Sequence, residues 1–230
     1  MANETARRAF YDKLSDLHNK DDLTDFVIVC HDHQWNVHRL VLALHSDVLS
    51  KACSSGFKES REKTINLSPG HQPEVIEALV EYMYTFDYSL DNLDETETIG
   101  LHIDLAILAD KYNIEGLHQM ATYASKQLVP DAAAASLAFA VSRAYAAPAA
   151  TKEICQAICA TVAERTELLE NEEGKVLVQF MEENGSFAVD VARKIAASRQ
   201  SPATGKEGSA RRLSSRSGFE LLSRSMHIMR

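Results

Sequence analysis

The sequence lacks any run of about 18 or more apolar residues, so it predicts no membrane-spanning helix. Its first residues, MANETARRAFYDK, carry charges but no apolar stretch, and we therefore expect no secretory signal peptide. Glycine-rich phosphate loops and nucleophile elbows are also absent from the sequence. These absences argue against a membrane protein, a secreted protein and the common nucleotide-binding or hydrolytic enzymes, so we expect no catalytic activity.

Cysteine is scarce and irregularly spaced, at Cys30, Cys53, Cys155 and Cys159. This pattern is typical of reduced, buried thiols in a cytoplasmic or nuclear protein. Four histidines cluster near the first two cysteines, at His31, His33, His38 and His45. They form no Cys-x-x-Cys or His-x-x-x-His pair, so we expect neither a metal site nor a cofactor.

Basic residues are scarce in most of the chain and concentrated at one end. The net charge is −9, but residues 198–230 contain seven Lys or Arg and only two Glu, whereas residues 1–197 contain 17 basic and 31 acidic residues. An acidic body repels the phosphate backbone, so nucleic-acid binding by this body is not expected. The length of 230 residues, with 45% apolar and 25% charged residues, indicates one or two globular domains.

Three short segments have the pattern of β-strands. Residues 26–30 form a continuous apolar run typical of a buried strand. Residues 31–34 provide a polar turn, after which Trp35 and Val37 alternate with polar neighbours. Alternation at residues 65–67 indicates a third strand, so the sequence predicts a small sheet.

Apolar residues at helical spacing predict helices before and after these strands. Residues 1–20 are expected to hold an N-terminal helix, and a second helix from about Arg39 places Leu40, Ala43 and Leu44 on one face. Ser46 suits the N-cap of the next short helix. Three further helices are expected behind Pro73, at 105–112 and at 117–128, and the acidic run 87–97 is interpreted as a solvated loop.

Composition changes at Pro130, and no strand pattern follows. Residues 130–197 predict four helices in an all-α extension, whereas residues 198–230 are rich in serine, glycine and arginine and predict a flexible, disordered tail. In this tail Arg211 and Arg212 precede Ser214 and Ser215, a pattern that basic-directed kinases favour, so both serines are phosphorylation candidates. The two arginines also hint at the nucleus.

Five fragments resemble the BTB/POZ domain, and they occur in this order: TDFVIVC, NVHRLVLALHS, GFKES, YMYTFDY and LAILADKYNIEGL. Their amino-acid sequences are most similar to those of the BTB proteins of filamentous fungi. The resemblance covers roughly residues 15–128 and implies an α+β domain at 21–129, a small sheet flanked by helices. It implies protein–protein interaction without catalysis, with homodimers that pack their first helices together. Residues 130–197 resemble the helical extension behind fungal BTB domains.

The resemblance also assigns roles to individual residues. Asp25 and Arg39 match a charged feature near the family's dimer interface. If the two side chains are buried, they must form an ion pair, because either charge alone is costly to desolvate. The alternative is a hydrogen bond that only stabilises the fold. His38 matches a frequent family histidine, and we expect it to make a structural hydrogen bond to nearby backbone.

Phe57 and Glu59 match the hydrophobic–x–Glu element of BTB adaptors that recruit a cullin scaffold. An exposed aromatic residue beside a carboxylate is a plausible binding hot spot, although Phe57 could instead pack under its loop. Two functions therefore compete: a homodimeric scaffold or co-regulator, and a substrate adaptor of a cullin-type ubiquitin ligase. The client protein is not identified by either.

Overall fold

A β-hairpin and a third strand form the sheet that organises the first half of the fold. The computed structural model describes residues 2–18, 20–54 and 56–200. Strands β1 (Phe26–Cys30) and β2 (His33–Val37) pair antiparallel, and β3 (Thr64–Asn66) joins β1 in parallel, so the strand order is β2-β1-β3. The sheet therefore has β1 at its centre and β2 at one edge.

The turn of the hairpin is shorter than the sequence predicts. Cys30 pairs with His33, which leaves only two residues, His31 and Asp32, in the turn. His31 has a φ of 52°, the left-handed conformation that a two-residue hairpin turn requires. Strand β2 consequently begins at His33 and includes residues that sequence alternation alone assigns to the turn.

Seven helices surround the sheet in the described part of residues 2–128: α1 (Ala2–His18), α2 (Arg39–His45), α3 (Asp47–Ser54), α4 (Lys58–Glu62), α5 (Pro73–Thr85), α6 (Glu95–Lys111) and α7 (Glu115–Leu128). Ser46 caps α3, where its Oγ accepts a hydrogen bond of 3.0 Å from the backbone N–H of Leu49. Pro73 occupies the first turn of α5, where its missing N–H leaves no bond unmade.

The acidic segment at residues 87–97 is not a loop throughout, so that part of the sequence interpretation is wrong. Asp94 is the N-cap of α6, and its side chain accepts a hydrogen bond from the backbone N–H of Glu97 while the Glu97 carboxylate accepts from the N–H of Asp94. This reciprocal capping box begins the helix at Glu95. Negative charge is also favourable at this end, because it faces the positive end of the helix dipole.

The extension behind residue 129 is helical within the described residues, as predicted. It contains α8 (Ala134–Ala144), α9 (Lys152–Glu164), α10 (Lys175–Glu183) and α11 (Gly185–Gln200), with short 3-10 turns at 129–131, 166–169 and 172–174. The helix α11 runs past residue 197, where the sequence predicts the extension to end. The predicted flexible tail otherwise falls on residues 201–230, including Ser214 and Ser215, which lie outside the described residues.

The extension packs directly on the sheet-containing half, mainly through α6 and α8. The ring of Phe139 on α8 lies against Gly100 of α6, so closely that a β-carbon at Gly100 would be 2.6 Å from Phe139 Cε1. Beside this contact the guanidinium of Arg143 bonds the carboxylate of Asp104 at 3.1 Å. One continuous apolar core runs from Phe26 in β1 to helix α11. The predicted α+β fold with an all-α extension is therefore confirmed.

Candidate functional site

The helix α2 turns an apolar row toward solvent. Leu40 and Leu44 are each 71% exposed, and Val48 at the start of α3 is also exposed. The residues between them, Val41 and Leu42, are the ones that α2 buries in the core. The apolar face that the sequence predicts for this helix is thus an outer face, and large aliphatic residues gathered on a surface mark a binding site more often than single ones do.

The N-terminal helix α1 adds aromatic residues to the same surface. Leu14 and Leu17 pack against the core and fix the helix in place, whereas Phe10 and Tyr11 are exposed. The ring of Tyr11 meets the ring of Phe86 edge-on, with 5.5 Å between centroids. This contact ties α1 to the C-terminal end of α5, where Phe86 lies.

Phe86 connects the helices α1 and α2, which carry the exposed apolar residues. Its ring lies 5.5 Å from Tyr11 and 5.1 Å from the ring of His45 on α2. Phe86 also has a φ of 59°, a conformation that costs an L-residue roughly 1 kcal/mol, so its ring contacts must hold it there. We call the resulting surface the α1–α2 face; it consists of Phe10, Tyr11, Leu40, Leu44, Val48 and Phe86.

The polar group beneath this face is neutral. His45 Nε2 lies 2.8 Å from the backbone oxygen of Met83 and donates to it. Burial lowers the pKa of His45, and the hydrogen bond to Met83 only partly opposes that effect. An uncharged imidazole with its N–H already bonded can be covered by another molecule at small cost.

Asp25 and Arg39 form an ion pair that also starts a helix. Asp25 Oδ1 accepts a hydrogen bond of 2.8 Å from the backbone N–H of Arg39, the first residue of α2, and Oδ2 accepts one of 2.9 Å from Arg39 Nε. Burial would raise the pKa of Asp25, but the hydrogen bonds and charge of Arg39 outweigh it and lower that pKa. The side chains are 43% and 37% exposed, so the pair is not deeply buried. The role of this pair at a dimer interface stays a prediction.

His38 connects three parts of the fold. Its Nε2 lies 2.8 Å from the backbone oxygen of Asp22, which can only accept, so this nitrogen carries the proton. Nδ1 therefore accepts from the hydroxyl of Tyr84 at 2.8 Å, and the same hydroxyl accepts from the backbone N–H of His38. All hydrogen-bonding positions of this buried histidine are satisfied within the fold.

Phe57 and Glu59 lie at the start of the short helix α4. Phe57 precedes the first turn and its side chain is 59% exposed, so it does not pack under the loop. Glu59 is half-buried in the first turn, where the helix dipole favours a carboxylate. The backbone oxygen of Phe57 accepts from Arg61 N–H and from Ser60 Oγ. These bonds fix the backbone from which the exposed aromatic ring projects.

The four thiols are free and buried, and the three-residue clusters of His, Cys, Asp or Glu that a metal needs do not occur within the described ranges. A cleft of about 520 Å³ lies beside α7 and α9, where Lys126 bonds Glu153 at 2.7 Å. None of the helices in the described part is long and apolar enough to cross a membrane.

Comparison with known proteins agrees with this arrangement. A BTB/POZ domain profile matches residues 14–128, half of the chain. A BTB/POZ domain-containing protein of Arabidopsis thaliana is 31% identical over 110 residues, covering 46% of this chain and 13% of that protein. Kelch-like protein 25 of Homo sapiens, and likewise of Rattus norvegicus, is 36% identical over 62 residues, covering 27% of this chain and 10% of those proteins.

These alignments span about a tenth of each relative's length, so they concern the domain and not the whole proteins. The relatives are from plants and mammals, and they carry no information on a fungal affinity. The residues that the profile matches contain the whole sheet and the helices α2–α7. This chain belongs to the BTB/POZ domain family, a family of protein-interaction domains.

Proposed function

We propose that the chain is a non-catalytic interaction module that forms a homodimer through the α1–α2 face and acts as a scaffold or co-regulator. The observation that carries this proposal is the outward orientation of Leu40 and Leu44 on α2, the helix that Phe86 connects to the exposed Tyr11 of α1 through its contact with His45. The occupant we propose is a second copy of the chain. BTB dimers pack their first helices together, and this face consists mainly of the first two helices.

Burial of the two exposed leucines would supply part of the free energy of association. Complete burial of a leucine contributes about 1.5–3 kcal/mol, so covering the exposed part of Leu40 or Leu44 contributes about 1–2 kcal/mol each. In a two-fold symmetric interface every residue is used twice, which doubles the contribution. Four leucine side chains thus supply on the order of 4–8 kcal/mol before the entropy of association is subtracted.

Co-purification of two differently tagged full-length copies tests the proposal. Leu40→Glu with Leu44→Glu introduces charges on the α1–α2 face without disturbing the core, and we expect this double variant to lose co-purification. The matched control is Val176→Glu with Val189→Glu, which changes two exposed valines outside the face. This control variant should still co-purify. If both double variants co-purify as wild type does, the α1–α2 face is not the interface.

A second function, substrate adaptor of a cullin-type ubiquitin ligase, is favoured by one specific observation. Phe57 is exposed at the N-cap of the helix that holds Glu59, where an aromatic side chain is available to a partner as a hot spot. We expect a cullin scaffold to be pulled down by wild type and not by Phe57→Ala or Glu59→Lys. The face variant Leu40→Glu should still bind as a folding control. Failure of wild type at micromolar concentration argues for the scaffold function alone.

We further propose a cytoplasmic or nuclear location, because the four described thiols are free and buried, as in a reducing compartment. Imaging of a tagged full-length chain distinguishes the two compartments, and Arg211→Ala with Arg212→Ala should reduce any nuclear fraction. The likeness of FKES and YMYTFDY to fungal BTB proteins remains a prediction. Affinity purification with mass spectrometry is the experiment that names the client.

A further inference from the structure

A groove of about 310 Å³ lies between the edge strand β2 and helix α5, formed by residues other than those of the α1–α2 face. Its floor is Trp35, the only tryptophan in the sequence, whose side chain is half-buried. The ring of His33 stacks on Trp35 with 6.0 Å between centroids and 18° between planes. The indole N–H donates to the carboxylate of Glu77. These contacts hold the indole in a fixed orientation.

The wall of the groove is acidic. Glu74, Glu77 and Glu81 are spaced three and four residues apart, so they share one face of α5, and Asp91 faces them from the following loop. Lysine and arginine are absent from the described residues that line the groove. Carboxylates around a tryptophan attract cationic side chains, because the indole face also binds a cation favourably.

The strand beside the groove can accept a peptide backbone. Within the described residues β2 pairs with β1 on one side only, so its outer edge offers main-chain N–H and C=O groups. An extended segment can add to such an edge while its side chains reach the neighbouring groove. The site therefore fits an extended segment that is rich in arginine or lysine.

We propose that the occupant of this groove is the chain's own C-terminal segment, residues 201–230, bound within the same molecule. This segment lies outside the described residues, and its sequence holds six Lys or Arg and two Glu. Three of its arginines, Arg211, Arg212 and Arg216, fall within six residues. Their charge is opposite to that of the groove, and no other stretch of the chain carries a comparable basic excess.

The chain is long enough for this contact. From the end of α11 at Gln200, eleven residues lead to Arg211 and 24 to Arg224, which allows about 36 Å and about 80 Å when extended. A globular body of some 200 residues has a radius of gyration of about 16 Å and a diameter of roughly 40 Å. Arg224 can therefore reach any part of the body's surface, and Arg211 can reach a site within about 36 Å of the end of α11.

The proposed contact has a built-in means of release. Ser214 and Ser215 lie between Arg212 and Arg216, and a phosphate on either serine would add about 1.5–2 negative charges beside the acidic groove. Phosphorylation would therefore free the groove and the edge of β2. A basic segment of another protein could then bind at the same place.

Fluorescence of Trp35 in the full-length chain tests the proposal, because no other tryptophan contributes. We expect the bound segment to protect the indole from acrylamide quenching at low salt, and we expect high salt to remove the protection, since exposed charges are then screened. The tail-reversed chain carries Arg211→Glu, Arg212→Glu and Arg216→Glu. At every salt concentration, acrylamide should quench the indole of this variant as strongly as it quenches that of wild type at high salt.

A charge swap separates specific docking from general attraction. Adding Glu74→Lys and Asp91→Lys to the tail-reversed chain should restore protection, whereas Glu182→Lys with Glu183→Lys, a matched acidic pair on α10, should not. Equal quenching of wild type and the tail-reversed chain would overturn the proposal. Restoration by the α10 pair would also overturn it, as would protection that rises with protein concentration, since the occupant would then come from another copy.

Discussion

Phe86→Gly should leave the chain more stable than Phe86→Ala, although glycine is the smaller residue. Phe86 ends α5 with a φ of 59°, and its backbone N–H still bonds the carbonyl oxygen of Tyr82 at 2.8 Å. Glycine adopts this left-handed conformation freely, whereas an L side chain is strained in it. Both substitutions remove the aromatic ring, so the difference between them reports the backbone strain less the extra unfolded-state entropy of glycine.

The magnitudes follow from the exposure of Phe86. The side chain is 45% exposed, so loss of its buried half costs about 1–1.5 kcal/mol of unfolding free energy in either variant. Alanine retains the strained φ and gains nothing in return. Glycine removes about 1 kcal/mol of strain. We therefore expect the unfolding free energy of Phe86→Gly to lie within about 0.5 kcal/mol of wild type and clearly above that of Phe86→Ala.

Urea unfolding at equal protein concentration measures this difference, because self-association adds a concentration-dependent contribution to stability. Lys63 provides the control, because it is exposed and ends α4 with a φ of 54°. Lys63→Gly should be more stable to urea than Lys63→Ala by a similar margin. If Phe86→Gly is no more stable than Phe86→Ala while the Lys63 pair behaves as expected, the ring contacts do not hold a strained backbone at this position.

Three further outcomes are expected. Gly100→Ala should destabilise the chain by up to about 2 kcal/mol in urea unfolding, because the clash of its new β-carbon with the ring of Phe139 costs about 1–3 kcal/mol and the higher helix propensity of alanine offsets about 1 kcal/mol. The folded-state pKa of Asp25 is lowered, so the stabilisation from its pair with Arg39 is present above about pH 4 and is lost as pH falls through the lower folded value. Asp25→Asn should therefore lower the unfolding free energy by up to about 1 kcal/mol at neutral pH. The difference between the variant and wild type should be smaller when urea unfolding is repeated at acidic pH. Burial raises the pKa of the Cys53 thiol to about 11, so Cys53 should resist a thiol reagent at pH 8 until urea is added; rapid native labelling contradicts its burial.

Local patterns predicted much of the fold because they depend on neighbouring residues. The buried run 26–30 and the helical spacing of the second half identified β1 and all four helices of the extension. Orientation is a different matter, because spacing shows that a helix has an apolar face without showing what lies against it. In α2 the core receives Val41 and Leu42, and the face with Leu40 and Leu44 points to solvent.

The candidate surfaces depend on contacts between distant residues, which a single sequence does not reveal. Phe86 brings α1 and α2 together through rings 75 and 41 residues away in the chain. The acidic groove joins Trp35 to Glu77 across 42 residues. By contrast, the capping box of Asp94 and Glu97 is a local signal, and the density of acidic residues around it favoured the loop interpretation instead.

The mass of the full-length wild-type chain in solution is the most direct test of the central claim, that this protein works by presenting a self-complementary apolar surface. Sedimentation equilibrium at micromolar concentration should give twice the 25.5 kDa of one chain. A mass of 25.5 kDa throughout the concentration series would contradict the claim.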